Sequence, residues 1–190
     1  ALLCVEKFKN KIITLYVPHE IEEQYCLLLK KQFEDKSTKT ILCSELFLDM
    51  NQNGNLIDSE IDCIIVDVMG YLAELYSLGN VVIVGGGFDG QIHNVLEPAA
   101  HGKPVLIGSQ INRAPEATRL SDEGALILFE TPNLLFQFLF RWVSLGQRSS
   151  DSTSRDEDVL LTNVSARASK IFDELPNTSK VIFDVLYPKS

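Results

Sequence analysis

Short β-branched runs alternate with longer amphipathic stretches along most of this chain, and that alternation constrains its fold more than any other feature. The runs are Ile12 to Val17, Thr40 to Cys43, Cys63 to Val66, Val81 to Val84, Pro104 to Ile107 and Ala125 to Phe129. They read as strands. Between them, helical spacing marks Ile21 to Phe33, Gly70 to Ser77, Asn94 to His101, Ala114 to Leu120 and Asn133 to Val143, with Gly or Pro at several joins. A two-residue hairpin cannot connect strands spaced this way, so the chain must cross over through its helices. The expected fold class is α/β: a Rossmann-like parallel sheet with helices on both faces and right-handed crossovers. In such sheets ligands collect at the carboxyl ends of the strands.

The main body is expected to span residues 1–145. Residues 146–158 turn polar and Ser-rich (Gln147-Arg148-Ser149-Ser150-Asp151-Ser152-Thr153-Ser154) and read as a linker or mobile loop. Residues 159–190 then carry a helical segment from Val159 to Leu175 and a short one from Ser179 to Leu186, expected to pack back on the same domain. With 26 acidic against 17 basic side chains and a formal charge of −9, nothing in the balance favours a nucleic-acid backbone or an anionic lipid surface as the partner, and no nucleic acid is expected. No apolar run reaches the roughly 18 residues of a membrane span, so a soluble chain is expected. The four cysteines, at 4, 26, 43 and 63, match neither a zinc-ligand spacing nor a disulfide framework, and read as reduced, mostly buried thiols.

The densest local signal follows the fourth run. Val81 to Val84 leads into Gly85-Gly86-Gly87-Phe88-Asp89-Gly90-Gln91-Ile92-His93, and then Asn94-Val95-Leu96-Glu97-Pro98-Ala99-Ala100-His101-Gly102-Lys103-Pro104. Adjacent glycines allow close backbone approach and positive φ, and a helix start beside them offers amides and a positive dipole end to a phosphate. Asn94 with Glu97 three residues on is equally a capping box, in which two side chains satisfy backbone donors without any ligand. Both readings stand on spacing alone. Gly85, Gly87 and Gly90 also fit the dinucleotide pattern G-x-G-x-x-G, but the next strand ends in Gly108-Ser109-Gln110 with no acidic residue to hold a ribose. His93 could donate to a phosphate or a sugar hydroxyl, His101 fits a helix end, and the aromatic run Phe136, Phe138, Phe140 and Trp142 fits core or domain contact.

A second pattern lies at Asp49-Met50-Asn51-Gln52-Asn53-Gly54-Asn55-Leu56-Ile57-Asp58-Ser59-Glu60, which satisfies the EF-hand loop string with Asp49, Asn51, Asn53 and Glu60 as oxygen ligands. Its setting is poor, because the flanking runs Thr40 to Cys43 and Cys63 to Val66 read as strands where an EF-hand needs helices. A polar turn is the alternative. Otherwise no metal or cofactor is expected.

Gly-Gly-Gly followed by His93-Asn94-x-Leu96-Glu97-Pro98-Ala99-Ala100-x-Gly102-x-Pro104-Val105 resembles the signature of 3-deoxy-D-manno-octulosonic acid (Kdo) transferases, glycosyltransferases of the two-domain GT-B fold. Val66-Asp67-Val68-Met69-Gly70-Tyr71-Leu72-Ala73-Glu74-Leu75-Tyr76 resembles the family's strand and turn ahead of that loop, and Val17-Pro18-His19-Glu20 its earlier Val-Pro-Arg segment. The likeness runs from about residue 12 to 143. It implies the carboxy-terminal, donor-binding domain, in which Pro18, His19, Met69, Gly70, Tyr71, Gly86, Gly87, His93, Asn94, Val95, Leu96 and Glu97 would surround the CMP moiety of CMP-Kdo. Glu97 would take the ribose hydroxyls, and loop amides the phosphate that leaves. His19 departs from the Arg of many members, and an imidazole is a weaker phosphate partner than a fixed guanidinium. The family's catalytic carboxylate and lipid A precursor site belong to an amino-terminal domain that this chain lacks. No catalytic residue is therefore expected here, and membrane association, at the cytoplasmic side of the bacterial inner membrane, would come only through that other domain. The competing expectation is a non-catalytic nucleotide-binding or single-loop calcium-binding module.

Overall fold

In the computed structural model, residues 6, 8, 10–53, 60–146 and 156–173 are described. The chain divides into two compact units, Ala1–Tyr71 and Leu72–Ser190, each built on a parallel sheet of three strands. All six β-branched runs become strands, and every strand pairing is parallel. The expected α/β class holds, with the strands in two ladders of three instead of one continuous ladder.

In the first unit, β1 (Thr14–Tyr16), β2 (Thr40–Leu42) and β3 (Cys63–Ile65) lie in the order β1-β3-β2. The last strand takes the centre because it alone is apolar throughout; all of its residues are buried, as a parallel strand with neighbours on both sides must be. Asp62, 3% exposed, fastens the amino-terminal edge: its carboxylate accepts the amides of Asn10 (2.6 Å) and Lys39 (2.9 Å), one from each flanking segment. Helix α1 (Glu23–Glu34) buries Cys26, Leu29 and Phe33, spaced to share one face, against β2 and β3.

Helix α2 (Cys43–Asn53) is the element that the sequence pattern concealed. It starts directly on the residue after Leu42 with no connecting loop, so its first turn overlaps the end of the β-branched run.

In the second unit, β4 (Val82–Ile83), β5 (Val105–Gly108) and β6 (Leu126–Phe129) lie in sequence order, again with the fully buried apolar strand central. Val105, Leu106 and Ile107 have no exposed surface, and burial of each contributes about 1.5–3 kcal/mol. Around this sheet lie α3 (Leu72–Leu78), α4 (Leu96–Ala100), α5 (Pro115–Asp122), α6 (Pro132–Gly146) and α7 (Asp156–Asp173).

The aromatic helix is α6. Phe138 is buried, Phe140 is 47% exposed, and the Trp142 indole N–H donates to Asp158 of α7 at 3.0 Å. Helix α7 packs on α4, α6 and β6, and its Ala168 belongs to the same core as Val95, Ala99, Val105 and Ile107. The polar stretch assigned to 146–158 is helical at both margins, since α6 runs through Gly146 and α7 opens at Asp156 with an acidic first turn that suits the helix dipole. Residues 147–155, and the segment Ser179 to Leu186, lie outside the described residues.

Candidate functional site

In each unit the singled-out residues cluster at the carboxyl edge of the sheet, where crossovers leave backbone open to a ligand. In the first unit, β1 and β3 pair with Tyr16 opposite Ile65, so Pro18-His19 and Met69-Gly70-Tyr71 leave adjacent strands at the same edge. Pro18 is buried and His19 exposed. The Val66 amide still donates to Tyr16 O at 2.9 Å, after which the chain bends away. Met69 is 82% exposed, Gly70 has a φ of +92° that turns the chain back, and the Tyr71 ring lies 5.7 Å from that of Phe47 in α2. Asp67, which sequence reasoning passed over, accepts the backbone N–H of Ser44 at 2.8 Å and also its hydroxyl.

In the second unit the glycine loop closes mainly on its own protein. Gly86 has a φ of +90°, and a Cβ there would stand 1.4 Å from Gln91 O. Any side chain is thus excluded by the loop itself. A Cβ on Gly87 would lie 2.5 Å from Gly108 O, and the Gly87 carbonyl accepts the Gln110 amide at 2.9 Å, so this glycine lets the loop lie against the end of β5. The Gln110 side chain donates to Phe88 O at 2.8 Å, and the His93 amide to Gly85 O at 3.3 Å. Packing and turn geometry therefore account for Gly86 and Gly87. Gly85 is the exposed member of the three.

Helix α4 is shorter than its sequence pattern, five residues starting at Leu96. Asn94 Oδ1 accepts the amide of Leu96 at 2.9 Å and lies 3.4 Å from that of Glu97. Two of the amides expected to face a phosphate are thus committed to a side-chain cap, and so short a helix develops little dipole. Val95 is fully buried and serves the core, whereas Leu96 is 40% exposed. Only one half of the capping box forms. Among the described residues the half-buried Glu97 carboxylate has no hydrogen-bond or ionic partner, neither Asn94 N–H nor any other. A carboxylate in that state is an acceptor with lone pairs to spare, the chemistry needed to grip two vicinal hydroxyls. His101 ends the helix with its amide on Glu97 O at 3.1 Å and its ring 6.1 Å from Tyr76.

Beside the loop, Asp89, Gly90, Gln110, Asn112 and Arg113 line a polar cleft of about 220 Å³. The residues from Gln110 to Arg113 carry no recognisable motif, and only their position after a buried strand could have drawn attention to them.

The first residues of the calcium string are helical. Asp49, Asn51 and Asn53 lie within the backbone of α2, where an EF-hand loop would need a turn wrapped around the ion. Glu60 forms an ion pair with Lys39, and residues 54–59 lie outside the described residues. Among the described residues no group of three or more His, Cys, Asp or Glu side chains is placed to hold a metal.

Two three-stranded parallel sheets flanked by helices, with open loops at the carboxyl edges, define a Rossmann-like α/β chain. The C-terminal CMP-Kdo binding domain of WaaA from Acinetobacter baumannii has this fold, with a TM-score of 0.64 at 18% identity over 85% of this chain and 74% of that one. In sequence the chain is similar to 3-deoxy-D-manno-octulosonic acid transferases. It is 31% identical over 134 residues to the transferase of Chlamydophila psittaci, covering 69% of this chain and 28% of that protein. The Aquifex aeolicus transferase is 32% identical over 123 residues (64% of this chain, 31% of the relative), and that of Chlamydia muridarum 42% over 110 residues (56% and 22%). The chain thus spans less than a third of the length of these relatives. No protein-family model matches it.

Proposed function

We propose that this chain is the donor-binding part of a Kdo transferase and holds CMP-Kdo. The half-buried carboxylate of Glu97, which has no partner among the described residues while Asn94 caps the helix without it, is the observation that supports this most directly. Glu97 accepts the ribose hydroxyls. Gly85 and His93 stand at the phosphate, and the polar cleft from Asp89 to Arg113 has hydrogen-bonding groups suited to an acidic, hydroxyl-rich sugar. Residue by residue, the resemblance extends the contact set to Pro18, His19, Met69, Gly70 and Tyr71. Negative charge develops on CMP as it departs, so groups that neutralise the phosphate favour the transition state over the ground state. The complete enzyme passes Kdo to a lipid A precursor at the cytoplasmic face of the inner membrane. Its catalytic carboxylate, acceptor site and membrane attachment come from an amino-terminal domain. Among the described residues no helix is long and apolar enough to cross a membrane.

Calorimetric titration of the chain with CMP, UDP, NAD and calcium tests the reading. A saturable response to CMP that exceeds the responses to UDP and NAD is expected; a response to calcium alone would overturn it.

A further inference from the structure

We propose that helix α2 sets the conformation of the Asp67–Tyr71 loop for the nucleotide sugar, with Asp67 and Phe47 as positioning residues; this rests on the reading that Met69 to Tyr71 contact the donor. The loop has little to hold it otherwise. Beyond the Val66 amide, no residue from 67 to 71 takes part in a backbone–backbone hydrogen bond among the described residues, and at its middle are an 82% exposed methionine and a glycine at φ +92°. Left to itself, such a segment would sample many conformations and would have to be ordered at each binding event.

Helix α2 ties down both ends. Both oxygens of Asp67 are used by one residue, Ser44, through its amide (2.8 Å) and its hydroxyl, which fixes the carboxylate in orientation as well as position. Three residues further along, and so on the same face of the helix, Phe47 packs its ring on Tyr71. The helix is itself anchored. It begins at the end of β2 with no intervening loop, β2 is in register with β3 (Leu42 opposite Ile65), and Glu45 in its first turn accepts the Leu42 amide at 3.0 Å and Lys30 Nζ at 2.7 and 2.8 Å. The arch from Asp67 to Tyr71 is thereby referred to the sheet through a rigid element. An exposed Met69 then stands in a defined place on a preorganised loop.

The alternative is that Asp67 only caps α2, in which case its loss lowers stability and nothing else. Calorimetric titration with CMP, each variant held well below its own unfolding midpoint, separates the two. Ser44→Ala and Asp67→Asn are each expected to weaken CMP binding by roughly three- to tenfold, the scale of one lost hydrogen bond. Phe47→Ala should act in the same direction, and Ser44→Thr, which keeps the hydroxyl, should restore binding. Ser44→Ala keeps the backbone donor and serves as the test where Asp67 variants do not fold. If Met69→Ala and Tyr71→Ala weaken CMP binding while Ser44→Ala and Asp67→Asn lower only the unfolding midpoint, the positioning role is wrong and the donor reading survives. If Met69→Ala and Tyr71→Ala also leave binding unchanged while Glu97→Ala removes it, this loop does not meet the donor and the inference falls with that part of the reading.

Discussion

At the scale of single residues, the decisive contrast is between Asn94 and Glu97. Both fit a capping box by spacing, yet Asn94 Oδ1 alone meets the first amides of α4 and Glu97 is left without an internal partner among the described residues. Their substitutions should therefore separate. Asn94→Ala is expected to cost about 1 kcal/mol of stability, seen as a lower denaturation midpoint, because it orphans capped amides. Glu97→Ala should leave the midpoint nearly unchanged and reduce CMP affinity by about tenfold or more, with Glu97→Gln intermediate, since an amide accepts from only one oxygen. Equal affinities for wild type and Glu97→Ala in calorimetry would show that the carboxylate does not touch the nucleotide. Gly86 makes a different demand. A Cβ at φ +90° and 1.4 Å from Gln91 O cannot be accommodated without moving the loop, so Gly86→Ala should destabilise by about 2 kcal/mol or more, measured by chemical denaturation. In the cleft, Arg113→Ala should weaken CMP-Kdo more than CMP if the acidic sugar lies there, and titration with the two ligands side by side reads that difference.

At the scale of elements, the central strands carry the sheets and with them the cysteines. Burial in β3, with Asp62 beside it, pushes the Cys63 thiol up to about 12. Burial, and then the charge of Asp67, also raises Cys26 and Cys43. The direction for stability follows from linkage. A thiol raised in the folded state keeps its proton there while the unfolded chain loses it near pH 9. Its contribution is therefore fully present below pH 9 and is lost as pH rises through the folded value. For Cys63 this is a slope of about 1.4 kcal/mol per pH unit, running from roughly pH 9 toward 12. Urea unfolding at a series of alkaline pH values should show that loss, steeper than in Cys63→Ser once the variant's own lower baseline is allowed for. Thiol-reactive probes at pH 8 should modify these cysteines only after unfolding. Helix α2 belongs to this scale as well. Its first residue closes a β-branched run and its last residues open a calcium-like string, so neither pattern marks the helix that joins them.

For the whole molecule, the proposed division of labour predicts binding without transfer. Incubated with CMP-Kdo and a lipid A precursor, this chain should bind donor in calorimetry yet yield no Kdo-modified lipid by mass spectrometry; turnover by the chain alone would place catalytic groups within it. The existence of the strands, their parallel pairing class and the carboxyl-edge location of the loops were legible in the sequence. They depend on period and on apolar content, which are local properties that central strands such as Cys63–Ile65 and Val105–Gly108 display in full. Other features depended on residues distant in the chain. Gly87 is required because Gly108 meets it across the end of β5, Asp67 has its role because Ser44 lies in the first turn of a helix 23 positions earlier, and the strands fall into two ladders of three. Spacing likewise left Glu97 balanced between cap and ligand, and only the placed side chain of Asn94 freed it. Periodicity and motif are written along the chain and fix which elements form, whereas a hydrogen bond or a close backbone approach exists only once two distant segments have been brought together, so the folded structure alone could decide which acceptor remained open to a ligand.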